Sequence, residues 1–131
     1  ADLNGSVSSE FLSALLIASP LSEQDTRIVI DGELKSRPYA EMTMDMLAEA
    51  GIRIEAGTRE FIVPAGQSFH LKGYTIPGDF SSSSYPMAAA AVTGSEVTVR
   101  GMLPSRQGDS AIIDILRRMG VEVSWDRRAG T

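Results

Sequence analysis

Two distant stretches of the chain, RIVIDGEL (Arg27–Leu34) and EVTVRGML (Glu96–Leu103), carry one pattern: alternating apolar and polar residues, then Gly-x-Leu. Downstream the register holds without a gap. Ser36-Arg37 falls on Ser105-Arg106, and DMLAEAGIRI (Asp45–Ile54) falls on DILRRMGVEV (Asp114–Val123). Upstream, after a small change in loop length, GSVSS (Gly5–Ser9) falls on GDFSS (Gly78–Ser82). Agreement in order, register and residue type means one supersecondary unit used twice, so both halves are expected to take one fold.

Each copy reads as a short strand leading into Gly-x-apolar-Ser-Ser and then a helix, over Ser9–Ala18 in the first copy and about Ser82–Val92 in the second. Period-two alternation predicts strands at Arg27–Asp31 and Glu96–Arg100. Second helices follow at Pro38–Ala50 and Asp109–Met119. Each ends at a glycine, Gly51 or Gly120, suited to a left-handed position just past the helix. Strands are expected at Ile52–Glu55 and Val121–Trp125, and in the first copy Glu60–Val63 closes a hairpin through AGTR. Pro86 is tolerated only in a first turn, which moves the helix start to Ser83 or Ser84 or demands a bend there. The fold class is α/β (α+β), built from β-α-β-α-β-β units of which the second lacks its last strand. Residues 1–72 form one unit and residues 73–131 an incomplete β-α-β-α-β unit, with the boundary in PAGQSFHLKGYTIPGD. The absence of an initial Met and the missing last strand suggest a piece of something longer.

Composition narrows the function. With 131 residues, 43% of them hydrophobic, a packed core is within reach and whole-chain disorder is not expected. The chain has no cysteine, which excludes disulfides, thiolate metal sites and cysteine nucleophiles and fits a reducing compartment. A net charge of −5 disfavours nucleic acid as a partner. No apolar run approaches the roughly 20 residues of a membrane span, and the N-terminus does not read as a signal peptide. The expectation is a cytoplasmic protein with no nucleic-acid or membrane partner. No metal constellation, glycine-rich nucleotide loop or nucleophile triad is visible. His70, the sole histidine, reads as a linker or surface residue, and Asp2, Glu41, Asp45 and Asp114 have the spacing of solvated helix faces.

GSVSSEFLSALLIASPL, GELKSRPYAEMT and GDFSSSSYPMAAAAV, in this order, resemble the 5-enolpyruvylshikimate-3-phosphate synthase family, also called 3-phosphoshikimate 1-carboxyvinyltransferases. The resemblance runs over the whole chain, which is about a third of such an enzyme by domain-length arithmetic. It implies two domains of three β-α-β-α-β-β units each, with the active site in the cleft between them. The first copy would then belong to the domain binding shikimate 3-phosphate, and the second would open a unit of the other. It also implies transfer of the enolpyruvyl group of phosphoenolpyruvate to the 5-hydroxyl of shikimate 3-phosphate, with release of phosphate, on the way to chorismate and the aromatic amino acids. Neither a metal nor an organic cofactor is implied, and the parent would be a monomer.

The same resemblance assigns residues. Ser8 and Ser9 would bind the 3-phosphate of shikimate 3-phosphate, Ser36 would be a third phosphate-binding serine, and Tyr39 would lie beside the shikimate ring. On the residues alone, helix capping for the serines is the simpler account, and the resemblance reverses that order. For Tyr39, core packing and ring contact both stand. Glu10 departs from the family pattern, which has glutamine there in contact with both substrates. An ionised carboxylate only accepts hydrogen bonds, so Glu10 would repel two anionic substrates unless it is protonated or turned away. An acidic residue in a first turn also stabilises a helix by ~0.3–1 kcal/mol. Asp79, Ser81 and RQGD (Arg106–Asp109) read as turn and cap residues. Catalytic groups are not expected in this chain, because the family takes its phosphoenolpyruvate-binding cations and acid–base pair from elsewhere. On its own the chain is expected to be inactive. Two other readings remain: a non-catalytic module of the same unit, and an enolpyruvyl transferase acting on UDP-N-acetylglucosamine.

Overall fold

The computed structural model describes residues 1–6 and 8–131, and the apolar position of the first serine motif, Val7, lies outside the described residues. The chain divides into two compact units, Ala1–Tyr74 and Thr75–Thr131.

In the first unit, β1 (Asp2–Asn4) runs into α1 (Ser9–Ala18), followed by a single 3-10 turn (Ser19–Leu21) and β2 (Thr26–Asp31). Then come α2 (Arg37–Glu49), β3 (Glu55–Ala56) and β4 (Glu60–Val63). The sheet order is β1-β2-β4-β3. β1 and β2 are parallel, with Leu3 opposite Ile30, and β4 pairs antiparallel with both β2 and β3. Alternation explains the core. Ile28 and Ile30 of β2 and Phe61 and Val63 of β4 point inward, two residues apart on each strand. Leu12 and Leu16, one helical turn apart on α1, and Ala40 and Leu47 on α2 cover them. Leu12, Leu16, Ile28, Phe61 and Val63 are wholly buried, so truncating any one of these large side chains to alanine would cost about 2–5 kcal/mol.

α2 ends as its glycine demands. Gly51 has φ +81, and the amides of Gly51 and Ile52 return to the carbonyls of Ala48 and Leu47, the paired bonds of a Schellman turn. The third strand is shorter than expected, Glu55–Ala56 rather than Ile52–Glu55. Gln67 explains this: its side chain takes the Arg53 amide and donates to the Arg53 carbonyl, replacing a strand partner there. Part of the Gly/Pro-rich stretch thus packs on the first unit, where the His70 amide also donates to the Ala50 carbonyl.

The second unit contains α3 (Phe80–Thr93), a 3-10 turn (Gly108–Ala111) and α4 (Ile112–Arg118). α4 also closes with a Schellman turn, at Gly120, φ +88. Phe80, Met102 and Ile113 form its core, with Trp125 edge-on to Phe80 at 5.5 Å. Two expectations are corrected here. The helix begins at Phe80 rather than at Ser83 or Ser84, and Pro86 lies inside it. The Asp79 carboxylate explains the early start, since it caps the amides of Ser81 and Ser82 ahead of the proline. The predicted strands Glu96–Arg100 and Val121–Trp125 are not strands, and the described residues of the second unit contain none. In the first unit β2 is held by β4. The repeat register sets Ala129 and Gly130 against Glu60 and Phe61, but Asp126–Thr131 instead closes a turn on itself, the Asp126 amide donating to the Thr131 carbonyl. Without that ladder, the extended segments border an open groove of about 1090 Å³ lined by Ala90, Thr98, Val121 and Val123.

Candidate functional site

The first unit places two helix starts at one edge of its sheet. β1 and β2 are parallel, and α1 and α2 leave their carboxyl ends, so both N-termini point the same way. Their lateral register is fixed where the hydroxyls of Ser13 on α1 and Thr43 on α2 share a hydrogen bond of 2.8 Å. The connections are also tied. Gly5 donates its amide to the Asp31 carbonyl (2.9 Å) and accepts the Lys35 amide (3.1 Å). Gly5 permits this approach because it has no side chain: a Cβ there would lie 2.7 Å from Ile30 Cγ2 and 2.8 Å from the Glu33 carbonyl oxygen. The loop before Ser8 and the loop carrying Ser36 are therefore held together backbone to backbone.

Ser8 is the N-cap of α1. Its backbone is extended (φ −161, ψ 140), and its Oγ accepts the Glu10 amide at 3.1 Å. Ser9, the first helical residue, is buried, and Glu10 is exposed. The first amides of a helix have no intrahelical partner, and the dipole there favours an anion. This end therefore offers amide and hydroxyl donors with one carboxylate among them.

α2 begins differently. Arg37 is its first residue and Pro38 its second, one position later than expected for the proline. Ser36 occupies the N-cap position but does not cap: its backbone is left-handed (φ 59, ψ 33), and no side-chain bond runs from it to the helix. Among the described residues it is the one non-glycine with positive φ. That conformation costs ~1–2 kcal/mol for an L-residue, and it leaves the Ser36 side chain exposed at the same edge as Ser8. Tyr39 is 45% exposed on the first turn of α2, its amide donating to the Ser36 carbonyl. The sequence-predicted set Ser8, Ser9, Glu10, Ser36 and Tyr39 thus falls on two adjacent helix starts. Arg37 is a residue of this edge that the sequence does not single out. It sends Nε to Glu41 Oε1 (3.0 Å), Nη1 to the Thr58 carbonyl (3.0 Å) and Nη2 to the Gly57 carbonyl (3.3 Å). Its signals in the letters are its place inside the serine-containing motif and the recurrence of Ser36-Arg37 as Ser105-Arg106.

In the second unit, Asp79 caps α3. The Ser82 hydroxyl, then the Ser82 amide, and with less weight the Ser81 amide, hold its carboxyl below the usual carboxylate range. Gln107 bridges the same helix start from a buried position, accepting the Phe80 amide (2.7 Å) and donating to the Gly78 carbonyl (3.2 Å). Ser81 donates to Asp109. These bonds join Asp79, Ser81, Gln107 and Asp109 in one capping network. Among the described residues no cluster of His, Asp and Glu converges as a metal site, and no helix is long and apolar enough to cross a membrane.

Comparison with known proteins matches the chain to one family. A sequence model of EPSP synthase (3-phosphoshikimate 1-carboxyvinyltransferase) matches residues 1–131. The 3-phosphoshikimate 1-carboxyvinyltransferase of Methanothrix thermoacetophila is 65% identical over 128 residues, covering 98% of this chain and 30% of the relative. The proteins of the same name from Methanocella arvoryzae and Halobacterium salinarum are 55% and 44% identical, each over 98% of this chain and 31% of the relative. The chain spans about a third of the length of the curated relatives it matches.

Proposed function

The chain belongs to the EPSP synthase family, and from that premise we propose that it is the segment of a 3-phosphoshikimate 1-carboxyvinyltransferase that holds the phosphate of shikimate 3-phosphate. The reaction is transfer of the enolpyruvyl group of phosphoenolpyruvate to the 5-hydroxyl of shikimate 3-phosphate, with release of phosphate. The observation that carries the reading is the pair of adjacent helix starts, each offering an N-terminal turn and serine hydroxyls at one sheet edge.

In this reading Ser8, Ser9 and Ser36 donate to the phosphate, the α1 dipole adds to their effect, and Tyr39 lies along the ring. Hydroxyls suit the task because they donate without adding charge. The segment's work is to bind and orient one substrate. The cations that hold phosphoenolpyruvate and the groups that move protons come from the other two-thirds of the enzyme, so the chain alone turns nothing over. Residues 1–72 and 73–131 are copies of one unit from its two domains. Supporting this, Gly5 donates its amide to the Asp31 carbonyl and Gly78 to the Gly101 carbonyl, and an added Cβ would stand 2.7 Å from a side-chain atom at each. Gly51 and Gly120 both close a helix.

An amide NMR titration with shikimate 3-phosphate, using shikimate as control, tests the proposal. Saturable shifts at Ser8, Ser9, Ser36 and Tyr39 that are absent with shikimate are expected. In the full-length enzyme Glu10→Gln is expected to lower the KM for shikimate 3-phosphate several-fold, since it exchanges an acceptor-only carboxylate for an amide donor. Unchanged Michaelis constants for both substrates would place Glu10 away from them. A folded spectrum without shifts, in both the native chain and the Glu10→Gln variant, would reduce Ser8 to a cap and leave Ser9 and Ser36 without a part in phosphate binding.

A further inference from the structure

We propose that Arg37 is a positioning residue for the phosphorylated substrate: it holds Ser36 in its left-handed conformation without touching the ligand. This rests on the assignment of Ser36 to the phosphate.

A serine that caps a helix takes extended backbone angles and turns its Oγ onto the first amides. Ser8 does this and Ser36 does not, although it stands at the same position relative to its helix. A strained angle persists only where the surroundings over-determine it. Both neighbours of Ser36 are pinned. On one side the Lys35 amide is bonded to the Gly5 carbonyl at 3.1 Å. On the other, the Arg37 guanidinium forks onto two successive carbonyls, Gly57 and Thr58, while its Nε is held by Glu41. The turn it grips is itself fixed, since the Gly57 amide bonds to the Glu60 carbonyl at 2.7 Å and Glu60 begins β4. The first residue of α2 is therefore clamped to the β3–β4 hairpin. Ser36 spans the gap between two fixed points, and the left-handed angle is how it does so.

All the guanidinium bonds in this set point into the protein, toward the hairpin and Glu41. A fork of donors on adjacent carbonyls is a geometry lysine does not reproduce. Releasing it lets Ser36 relax to extended angles, which swings its hydroxyl away from the position it holds at this edge and so removes one donor from the phosphate. A hydrogen bond from a hydroxyl to a charged group corresponds to about tenfold or more in affinity.

A double-mutant cycle in the full-length enzyme tests this, with KM measured separately for shikimate 3-phosphate and phosphoenolpyruvate. Ser36→Gly keeps the left-handed angle at no cost and removes the hydroxyl. Ser36→Gly and Arg37→Ala are each expected to raise the KM for shikimate 3-phosphate about tenfold, with the phosphoenolpyruvate KM within about twofold. In the Ser36→Gly background, Arg37→Ala should add nothing. If the two effects multiply, Arg37 acts by some other route and the inference fails. If Ser36→Gly alone leaves the KM unchanged, the phosphate assignment fails first. Should Arg37→Ala not fold, Arg37→Lys, which keeps the charge and loses the fork, carries the same cycle; a wild-type KM for it would overturn the proposal.

Discussion

Replacing Gly5 with alanine probes the link between the two serine loops directly. The added Cβ would stand 2.7 Å from Ile30 Cγ2 and 2.8 Å from the Glu33 carbonyl oxygen. Ordinary contact lies at about 3.5–4.0 Å, so the loop beyond Glu33 must retreat by on the order of 0.7–1 Å. Backbone is the obstacle on one side, so no rotamer change absorbs the clash. The Lys35–Gly5 bond, 3.1 Å in the native chain, then stretches past hydrogen-bonding range. Overpacking of this kind costs about 1–3 kcal/mol of stability. The same displacement carries Ser36 away from Ser8, and losing one hydroxyl contact to a phosphate weakens binding about tenfold or more. Calorimetric titration of the full-length enzyme with shikimate 3-phosphate reads the second effect, with Gly66→Ala as the control. Gly66 has positive φ (+63), and a methyl group added there would meet nothing within 4 Å, so its substitution costs backbone strain alone. Gly5→Ala should weaken binding and Gly66→Ala should not. Native affinity in Gly5→Ala, or equal weakening in both, would refute the coupling of the loops.

Two predictions concern the second unit. Gln107→Leu leaves the Phe80 amide and the Gly78 carbonyl without their side-chain partner in a buried site, which should cost about 1–3 kcal/mol in urea denaturation and speed hydrogen exchange at the Phe80 amide; unchanged exchange would mean the bridge is not formed. The Asp79 carboxyl lies below its ordinary value because it caps Ser81 and Ser82, so its contribution to stability is present above the unfolded-state pKa and is lost as pH falls through the folded one. Asp79→Asn keeps a cap without that titration, and its stability should be flatter than wild type below about pH 4; identical acid limbs would exclude Asp79 as a contributor.

Much of the first unit is legible in the sequence because its signals are local. Ser8 before an apolar helical run marks the start of α1 to the residue, and Gly51 and Gly120 mark two helix ends, since only a left-handed residue closes a Schellman turn cheaply. The second unit's missing strands have a different origin. Alternation at Glu96–Arg100 records which faces a residue could present, but a strand exists only with a hydrogen-bonded neighbour, and the neighbour is a long-range fact. Pro86 misleads in the opposite direction: the rule against proline in a helix interior is an average, and the Asp79 cap and Gln107 bridge together outweigh it here. Nothing in the letters KSRPY says that Ser36 is left-handed. That angle follows from what Gly5, Gly57 and Thr58 do to its neighbours.

Capping and anion binding look like competing roles for the serines, but one hydroxyl has the capacity for both. A hydroxyl has two acceptor lone pairs and one proton. At Ser8 a lone pair is engaged by the Glu10 amide, which leaves the proton to donate outward, and the bond fixes the side-chain rotamer that aims it. Capping at this position is therefore compatible with donating to an anion. Ser36 differs: it makes no cap bond and takes a left-handed backbone, so its hydroxyl is not committed to the helix. The two solutions respond differently to perturbation. An asparagine or aspartate at Ser8 would preserve the cap while changing the donor, so helix stability and ligand affinity should part company there. At Ser36 a glycine would preserve the backbone and lose only affinity. If neither serine touches the ligand, substitutions that keep the local backbone at either position will leave affinity unchanged.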